Sequence, residues 1–301
     1  MTEEAVVVAR ASRKAVVVGF DLSDSSQRAV RWAAREASSR HRPLMLVHVL
    51  AWPFQAGTPI MVPGEGDLRE PIRQVLEQEL AVLVARCREI DAALEVRSDM
   101  PFGDPAEVLG ELAADAEMLV LGGPRPETEF VVLGATSAEL LTRRTGAPVV
   151  VVRGGREDPG TAPVVVGVDG SASSTLALGF AYEFAARHGS ELVAVHAWSD
   201  LSLDPFARVQ QWELPWHEVR GDAEEVLAEA LAGWGEQYPD VAVRRAVTPE
   251  RPVRALFREA ELAGLLVVGS HGRGRIRRAL LGSVSHAVVN RAPCPVAVLR
   301  A

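Results

Sequence analysis

Glycines and a serine near the carboxyl terminus lie between an apolar run and a helical sequence, where a loop could bind an anion. Gly269 follows the apolar run LLVV, Gly272 comes shortly after it, and Gly282 and Ser283 precede the helical sequence VSHAVVN. A loop between a strand end and a helix start presents unpaired backbone N–H groups, and the helix dipole adds partial positive charge. Glycine has no Cβ, so the backbone can approach phosphate oxygens closely. This stretch therefore predicts an anion site whose donors are main-chain amides.

Arginines crowd this loop, and its spacing differs from that of other phosphate motifs. The stretch GSHGRGRIRRALLGS carries four arginines. They add charge-assisted hydrogen bonds if they face the ligand, and form a solvated basic surface if they do not. The spacing G-x2-G-x9-G-S is neither the P-loop GxxxxGK[ST] nor the GxGxxG of dinucleotide folds. Nucleic-acid binding through GRGRIRR is disfavoured, because the net charge is −8 and no aromatics interleave with the arginines.

The elements that must position this loop occur twice in the chain. VVVGFDLSDSS at 16–26 aligns with VVVGVDGSASS at 164–174, at an offset of 148 residues. Over the 33 positions that begin at residue 16, 14 are identical. Such self-similarity indicates an internal duplication. The identical positions include Asp21 with Asp169 and His48 with His196.

Each copy alternates apolar runs with helical periodicity, in the order β-α-β-α-β-α-β-α-β. The opening run VVVG is typical of a strand covered on both faces, and the serines that follow are predicted to cap a helix. The pattern predicts an α/β fold of two tandem Rossmann-like domains, each a five-stranded parallel sheet flanked by helices. Ligands are expected at the carboxyl ends of the strands. We predict domains at 14–153 and 162–301, joined by the linker RGGREDPGTAP.

The complete glycine spacing is similar to a known family motif. Gly269, Gly272, Gly282 and Ser283 match the ATP-binding motif G-2x-G-9x-G-[ST] of the universal stress protein family at every interval. The second copy also resembles this family in VGVDGS after the first strand, in VHAW at the end of the second strand, and in the closing APCPVAVLR. The resemblance covers essentially the whole chain as a tandem pair. It implies the adenine nucleotide α-hydrolase-like form of the Rossmann fold.

The resemblance also implies how an adenine nucleotide would bind to the second copy. Asp169 would accept hydrogen bonds from the adenine edge, while the backbone of Gly167 and Ala197 would line the base pocket. Asp200 would reach the ribose hydroxyls. The phosphates of ATP, with or without Mg²⁺, would lie on the loop and on the start of the next helix. The residues implied in phosphate binding are Gly269, Ser270, His271, Gly272, Arg273, Gly274, Gly282, Ser283 and Val284.

Several of these side chains also have a purely structural interpretation. An Asp after a buried strand can serve only as a helix cap or turn former, and this alternative stays open for Asp169 and Asp200. His196 is predicted to be a packed, hydrogen-bonded histidine at a strand end rather than a base. His271 lies inside the loop, but the motif requires nothing of its side chain. No residue is assigned a catalytic or metal-binding role.

The first copy departs from the motif. Its equivalent stretch, VLGGPRPETEFVVLGATSAELL at 120–141, lacks the second glycine. The interval from Gly122 to Gly134 is one residue short, and Ala135 stands where the motif has Ser or Thr. The two intruding prolines remove amide donors, and the glutamates repel phosphate. We predict weak or no nucleotide binding by this half, which would be a structural and regulatory partner of the other.

Two classes of function remain open for such a chain. The resemblance implies a cytoplasmic, ATP-binding stress-response regulator in which nucleotide occupancy changes conformation or association. The alternative is a weak ATPase or a nucleotidyl-transfer enzyme of the same fold. Phosphoryl transfer normally uses a Lys or Arg clamp and carboxylates that hold Mg²⁺. Because no Walker lysine is present and no acidic pair can be placed at the loop, a binding protein is favoured over an enzyme, with slow ATP hydrolysis the most that is expected.

Composition and the closing strands suggest location and partners. Cys87 and Cys294 have no neighbouring Cys or His, so neither a disulfide framework nor a zinc site is indicated. No apolar run approaches the roughly 18 residues that cross a bilayer, and the acidic start MTEEAVVVARASRK is unlike a signal peptide. We expect a cytoplasmic protein that binds neither membrane nor nucleic acid. The strands APVVVVR and CPVAVLR are expected to pair the two domains as a pseudo-dimer, or two chains as a homodimer.

Overall fold

The computed structural model describes the greater part of the chain. The described residues are 14–51, 61–62, 66–67, 69–123, 134–142, 145–154, 160–198, 216–272 and 281–301. The chain divides between Arg153 and Gly154 into two compact units. We refer to the part up to Arg153 as the first unit and to the part from Gly154 as the second unit.

Parallel strands form the centre of the first unit. Its strands are β1 Val16–Gly19, β2 Leu44–Val47, β3 Met61–Val62, β4 Gly66–Asp67, β5 Val96–Asp99, β6 Met118–Gly122 and β7 Val149–Val152. The short β3 and β4 pair only with each other and are antiparallel. The other five form a parallel sheet in the order β7-β6-β1-β2-β5, with β1 between β6 and β2.

Helices connect these strands and cover the sheet. The helices of the first unit are α1 Asp24–Ser39, α2 Arg69–Ile90, α3 Pro105–Ala113 and α4 Ala135–Leu140. Helix α1 packs against β1 and β6 and lies beside α2, while α3 lies beside α4. Helices connect β1 to β2 and β6 to β7, which are parallel neighbours. Helix α3 leads from the edge strand β5 back across the sheet to β6, and this reversal of strand order is the doubly wound arrangement.

The second unit repeats this topology. Its strands are β8 Val164–Gly167, β9 Leu192–Ala197, β10 Val243–Thr248, β11 Leu265–Gly269 and β12 Val296–Leu299. All pair in parallel in the order β12-β11-β8-β9-β10. Its helices are α5 Ala172–His188, α6 Trp216–Leu231, α7 Trp234–Gln237, α8 Pro252–Ala260 and α9 Ser283–Arg291.

Local sequence explains where the elements begin and end. Ser23 and Ser171 have extended backbones and cap α1 and α5, each accepting from the N–H three residues later. Gly189 ends α5 in the left-handed conformation, at φ 63°, which glycine adopts without strain. The apolar strands β7 and β12 are buried along their whole length, as expected for strands covered on both faces.

The predicted fold class is confirmed. Each unit has a five-stranded parallel sheet flanked by helices. Within the described part of the chain, no helix has both the length and the apolar character needed to cross a bilayer.

Candidate functional site

The glycine-rich loop of the second unit is closed at both ends by backbone hydrogen bonds. Beyond β11, the N–H of Ser270 donates to the carbonyl of Leu299 at 2.7 Å and so continues the sheet. The N–H of Gly282 then donates to the carbonyl of Ser270 at 2.8 Å. This bond brings the start of α9 against the end of β11. The strand end and the helix start are thus held together as the sequence predicts.

Helix α9 begins without a side-chain cap. Gly282 is the N-cap, with φ −65° and ψ 154°, and within the described residues no side chain accepts from the first turn in the manner of a cap. Ser283 is exposed, whereas Ser285 is buried and donates its hydroxyl hydrogen to the carbonyl of Gly269 at 2.6 Å. Ser285 therefore fixes the first turn of α9 to the end of β11. Across the described part of the chain, the amides of Ser283 and Val284 have no side-chain cap and can donate to water or a ligand.

The start of α5 holds the other side of the loop. The hydroxyl of Ser171 donates to the carbonyl of His271 at 3.2 Å, and the hydroxyl of Ser173 donates to the same oxygen at short range. The two hydroxyl oxygens lie 3.2 Å apart. His271 also contacts Ser270 through a 3.0 Å bond between its Nδ1 and the serine hydroxyl. The start of α5 is therefore bonded to the carbonyl group of His271 in the loop.

Two of the motif glycines lie in close contact with other residues of the protein. A Cβ on residue 269 would lie 2.7 Å from Ser173 Oγ and 2.8 Å from the Ser173 carbonyl carbon. A Cβ on residue 272 would lie 2.5 Å from Asp169 Oδ2. Both separations are shorter than real Cβ contacts, so a side chain on residue 269 would have to displace the backbone of Ser173. A side chain on residue 272 would have to displace the carboxylate of Asp169, which can rotate. From the sequence alone, these glycines are accounted for only by close approach to phosphate.

Asp169 lies at the centre of this edge. Its Oδ1 accepts from the N–H of Ser171 at 3.0 Å, which forms a turn before α5, and its Oδ2 faces Gly272. The role of Asp169 as a turn former thus accounts for Oδ1 but not for Oδ2. Gly167 ends β8 and Ala197 ends β9, both partly exposed on the same edge of the sheet.

His196 has the structural role that its position predicts. It is buried, and its Nδ1 lies 2.7 Å from the carbonyl oxygen of Val168. In the first unit, His48 Nδ1 lies 2.8 Å from the carbonyl oxygen of Phe20. The same bond therefore joins the end of the second strand to the end of the first in both units.

The structure brings most of the predicted residues to one edge. Seven of them lie at the two ends of the loop and at the start of α9: Gly269, Ser270, His271, Gly272, Gly282, Ser283 and Val284. Asp169, Gly167 and Ala197 follow or end neighbouring strands of the same sheet. Three predicted residues, Asp200, Arg273 and Gly274, lie outside the described residues.

The first unit has a different arrangement at the equivalent place. Gly122 is again required by packing, because a Cβ there would lie 2.6 Å from the carbonyl carbon of Ser25. The next residue, Gly123, donates its N–H to Val152 at 2.9 Å and accepts at its carbonyl from the buried Arg28 at 3.3 Å. The corresponding carbonyl of the second unit, that of Ser270, accepts instead from the helix start. In the first unit, the guanidinium group of Arg28 thus donates to the carbonyl whose counterpart in the second unit accepts from the Gly282 amide.

The serines of the first unit also bond differently. Ser23 donates its hydroxyl hydrogen to Asp21 Oδ1 at 2.5 Å and lies 2.8 Å from Ser25 Oγ. Burial opposes ionisation of Asp21, but bonds from Ser23 and Ser26 outweigh it and hold the pKa of this carboxyl below its ordinary value. The intervening Leu22 has φ 69°, whereas its counterpart in the second unit is Gly170, with φ 74°.

Sequence reasoning missed the residues that fix the loop. Ser171 and Ser173 bond to the carbonyl of His271, and Ser285 bonds to that of Gly269. In the other unit, Arg28 bonds to the carbonyl of Gly123. For Ser171 and Ser173, the sequence does contain a signal, because the pattern SxS occurs in both copies. Ser285 and Arg28 have no such signal, because their partners are set only by the fold.

These features define a class: a tandem pair of doubly wound α/β domains, the second with a glycine-rich loop between a strand end and an uncapped helix start. The profile of the Universal stress protein family matches residues 12–153 and 161–300. The chain belongs to this family.

Relatives of the same name span nearly the whole chain. Universal stress protein Rv2005c of Mycobacterium tuberculosis is 41% identical over 290 residues, covering 95% of this chain and 96% of its own length. A universal stress protein of Mycolicibacterium smegmatis is 40% identical over 303 residues, covering 98% and 99%. The tandem arrangement is therefore shared with these relatives.

Solved structures share the fold at lower identity. A crystal structure of a universal stress protein from Archaeoglobus fulgidus superposes with a TM-score of 0.67 and 21% identity, covering 95% of this chain and 98% of that one. A functionally unknown protein from Pseudomonas aeruginosa superposes with a TM-score of 0.60 and 15% identity, covering 98% and 94%. At these identities the likeness concerns the fold alone.

Proposed function

We propose that the second unit binds ATP, alone or as its Mg²⁺ complex, and that the protein is a stress-response regulator controlled by that binding. The observation that carries the proposal is the bond between the Gly282 amide and the Ser270 carbonyl at 2.8 Å. It holds an uncapped helix start against the end of β11. Amides from two segments can therefore converge on one anionic group, which is how phosphate is bound without a dedicated lysine.

The residues present fit the parts of the nucleotide. Phosphate would be held by the amides of Gly272, Ser283 and Val284, with the exposed Ser283 hydroxyl as a further donor. The amides of Ser270 and Gly282 already donate to carbonyls of the protein and position the loop instead. The dipole of α9 favours negative charge at this end of the helix. The base would lie against Gly167 and Ala197 with Asp169 accepting from its amino edge, and Asp200 would bind the ribose.

The first unit is proposed to bind nucleotide weakly or not at all. The Gly123 carbonyl is held by the Arg28 guanidinium, and the Ser23 hydroxyl donates to Asp21. The sequence of its loop lacks the second motif glycine and carries prolines and glutamates. We expect one nucleotide per chain and a regulatory role in the cytoplasm, in keeping with the family to which the chain belongs.

Calorimetric titration of ATP tests the proposal. Gly282→Asp should abolish binding, because the new carboxylate both repels phosphate and caps the amides that would bind it. The fold should survive, since the backbone of Gly282 is extended and Asp is a good N-cap. Gly134→Asp at the N-cap of α4 is the matched control and should leave ATP binding unchanged.

Each result of the titration has a definite meaning. One ATP per chain, lost only in Gly282→Asp, supports the proposal. No binding by the wild type rejects it, and two ATP molecules per chain reject the view of the first unit. Sustained phosphate release in the same samples would favour the ATPase alternative.

A further inference from the structure

Two hydroxyl groups at the start of α5 converge on one carbonyl of the phosphate loop. Ser171 Oγ and Ser173 Oγ both donate to the carbonyl oxygen of His271, the first at 3.2 Å and the second at short range. Ser173 is buried, with 5% of its surface exposed, so its hydroxyl has no access to bulk water as an alternative partner. The bond joins residues 98 positions apart in the chain. It is a tertiary constraint on the loop.

This constraint sets the direction of an amide. The peptide group between His271 and Gly272 is planar and trans, so its C=O and N–H point in opposite directions. Because the carbonyl is held toward α5, the N–H of Gly272 is directed away from α5. A free loop could rotate this peptide group and present the carbonyl, which repels phosphate, in place of the amide. Holding the carbonyl excludes that orientation.

A second constraint fixes the preceding peptide group. The carbonyl of Ser270 accepts from the Gly282 amide at 2.8 Å, and the carbonyl of Gly269 accepts from Ser285 Oγ at 2.6 Å. Three successive carbonyls of the loop are therefore held by donors of the protein. Ligand oxygens would meet amides whose orientation is set before binding, which lowers the entropy lost on binding.

The first unit contains the same pair of serines. Ser23 Oγ donates to the carboxylate of Asp21 and lies beside Ser25 Oγ. In the second unit, the equivalent hydroxyl of Ser171 donates to the loop carbonyl of His271. The counterpart of His271 in the first unit, Pro124, lies outside the described residues.

We propose that Ser173, supported by Ser171, is a positioning residue for phosphate recognition, which fixes the Gly272 amide toward the ligand. The inference rests on the proposed binding of ATP and adds the residue that orients the loop. Ser173 would not contact the nucleotide. Its removal should weaken recognition of the phosphates and leave recognition of the nucleoside unchanged.

The test compares Ser173→Ala with Ser174→Ala in the full chain. Ser174 is an equally buried neighbour whose hydroxyl donates to the Ser171 carbonyl at 2.9 Å within the helix cap, so it controls for damage to α5. Calorimetry would measure binding of ATP, adenosine and inorganic tripolyphosphate. We expect Ser173→Ala to weaken the binding of ATP and of tripolyphosphate roughly tenfold and to leave the affinity for adenosine unchanged. Ser174→Ala should leave all three affinities as in the wild type.

The outcomes separate this inference from the proposed function. Wild-type binding of ATP together with unchanged ATP affinity in Ser173→Ala would overturn the positioning role and leave the proposed function intact. An equal loss for adenosine and ATP would also overturn it, since Ser173 would then act only on the fold. Failure of the wild type to bind either ATP or tripolyphosphate would reject both.

Discussion

The carboxylate of Asp169 occupies the space that a side chain on residue 272 would need. Asp169 Oδ2 would lie 2.5 Å from a Cβ at that position. The residue proposed to contact the base and a residue proposed to contact the phosphates therefore touch each other. A change at either position should be felt at the other.

Gly272→Ala is expected to weaken ATP binding about tenfold, because the new methyl group must displace either the Asp169 carboxylate or the loop. Calorimetric titration of ATP measures the effect. Gly221→Ala in α6 is the control glycine substitution, since a Cβ there meets nothing within 4 Å, and it should leave ATP binding unchanged.

A double-mutant cycle isolates the contact itself. In an Asp169→Ala background the space is vacated, so the further substitution Gly272→Ala should have little additional effect on the free energy of unfolding. Strictly additive effects of the two substitutions would show that the contact does not constrain the loop.

Gly170→Ala should lower the free energy of unfolding by about 1 kcal/mol, because a side chain at positive φ is strained. Gly170 has φ 74°. Urea denaturation followed by circular dichroism would measure the change. Gly221→Ala, in the interior of α6 with open space around the new methyl group, should instead raise the free energy of unfolding, by up to about 1 kcal/mol. Equal stability of Gly170→Ala and wild type would mean that the backbone relaxes to another conformation. Leu22 of the first unit already carries this strain, at φ 69°.

Much of this architecture could be predicted from the sequence. The duplication, the parallel sheets and the capping role of Ser171 all follow from local patterns, and so does the strand-end position of His196. These features depend on residue types at fixed spacing, which the sequence contains directly.

The partners of the loop carbonyls could not be predicted in the same way. Ser173 and His271 are 98 positions apart, and Arg28 and Gly123 are 95 apart. Serine is equally suited to a cap, a turn or a tertiary bond, and only the packed fold decides between them. The same limit explains why Gly272 was interpreted through phosphate alone, since the approach of Asp169 is a tertiary contact.

Ser23→Ala should raise the pKa of Asp21 toward its ordinary value of 3.8, because a hydroxyl donor to the carboxylate is removed. A carboxyl whose folded pKa is lowered stabilises the fold above its ordinary pKa, and that contribution is lost as the pH falls through the folded value. The variant should therefore lose stability relative to wild type at neutral pH, and the difference should shrink in acid. NMR titration of the Asp21 carboxyl carbon measures the pKa.

Ser38→Ala is the control for this titration. Ser38 Oγ donates to Asp91 Oδ2 at 2.6 Å and not to Asp21. It should leave the Asp21 titration where it is in the wild type. A pKa of Asp21 that is the same in Ser23→Ala and wild type would contradict the assigned cause.

Cys87 should resist thiol reagents in the folded protein. Burial raises the pKa of this thiol from 9.0 to about 11, so almost none of it is thiolate at pH 8, and only 1% of its surface is exposed. In a Cys294→Ala background, labelling at pH 8 should be slow and should become fast in urea. Because the folded pKa is raised, the contribution of Cys87 to stability is full below pH 9 and declines between pH 9 and about 11. Rapid labelling without denaturant would contradict the burial of this residue.

The histidine bonds at the strand ends have a consequence for the history of the chain. His48 and His196 make the same bond, 2.8 and 2.7 Å long, although the neighbouring loops have diverged. The bond that joins the ends of two central strands is thus common to both halves, while the glycine spacing of the loop is complete only in the second. Each half is therefore a natural reference for the other. A feature that both halves share can be recognised as older than the differences between them.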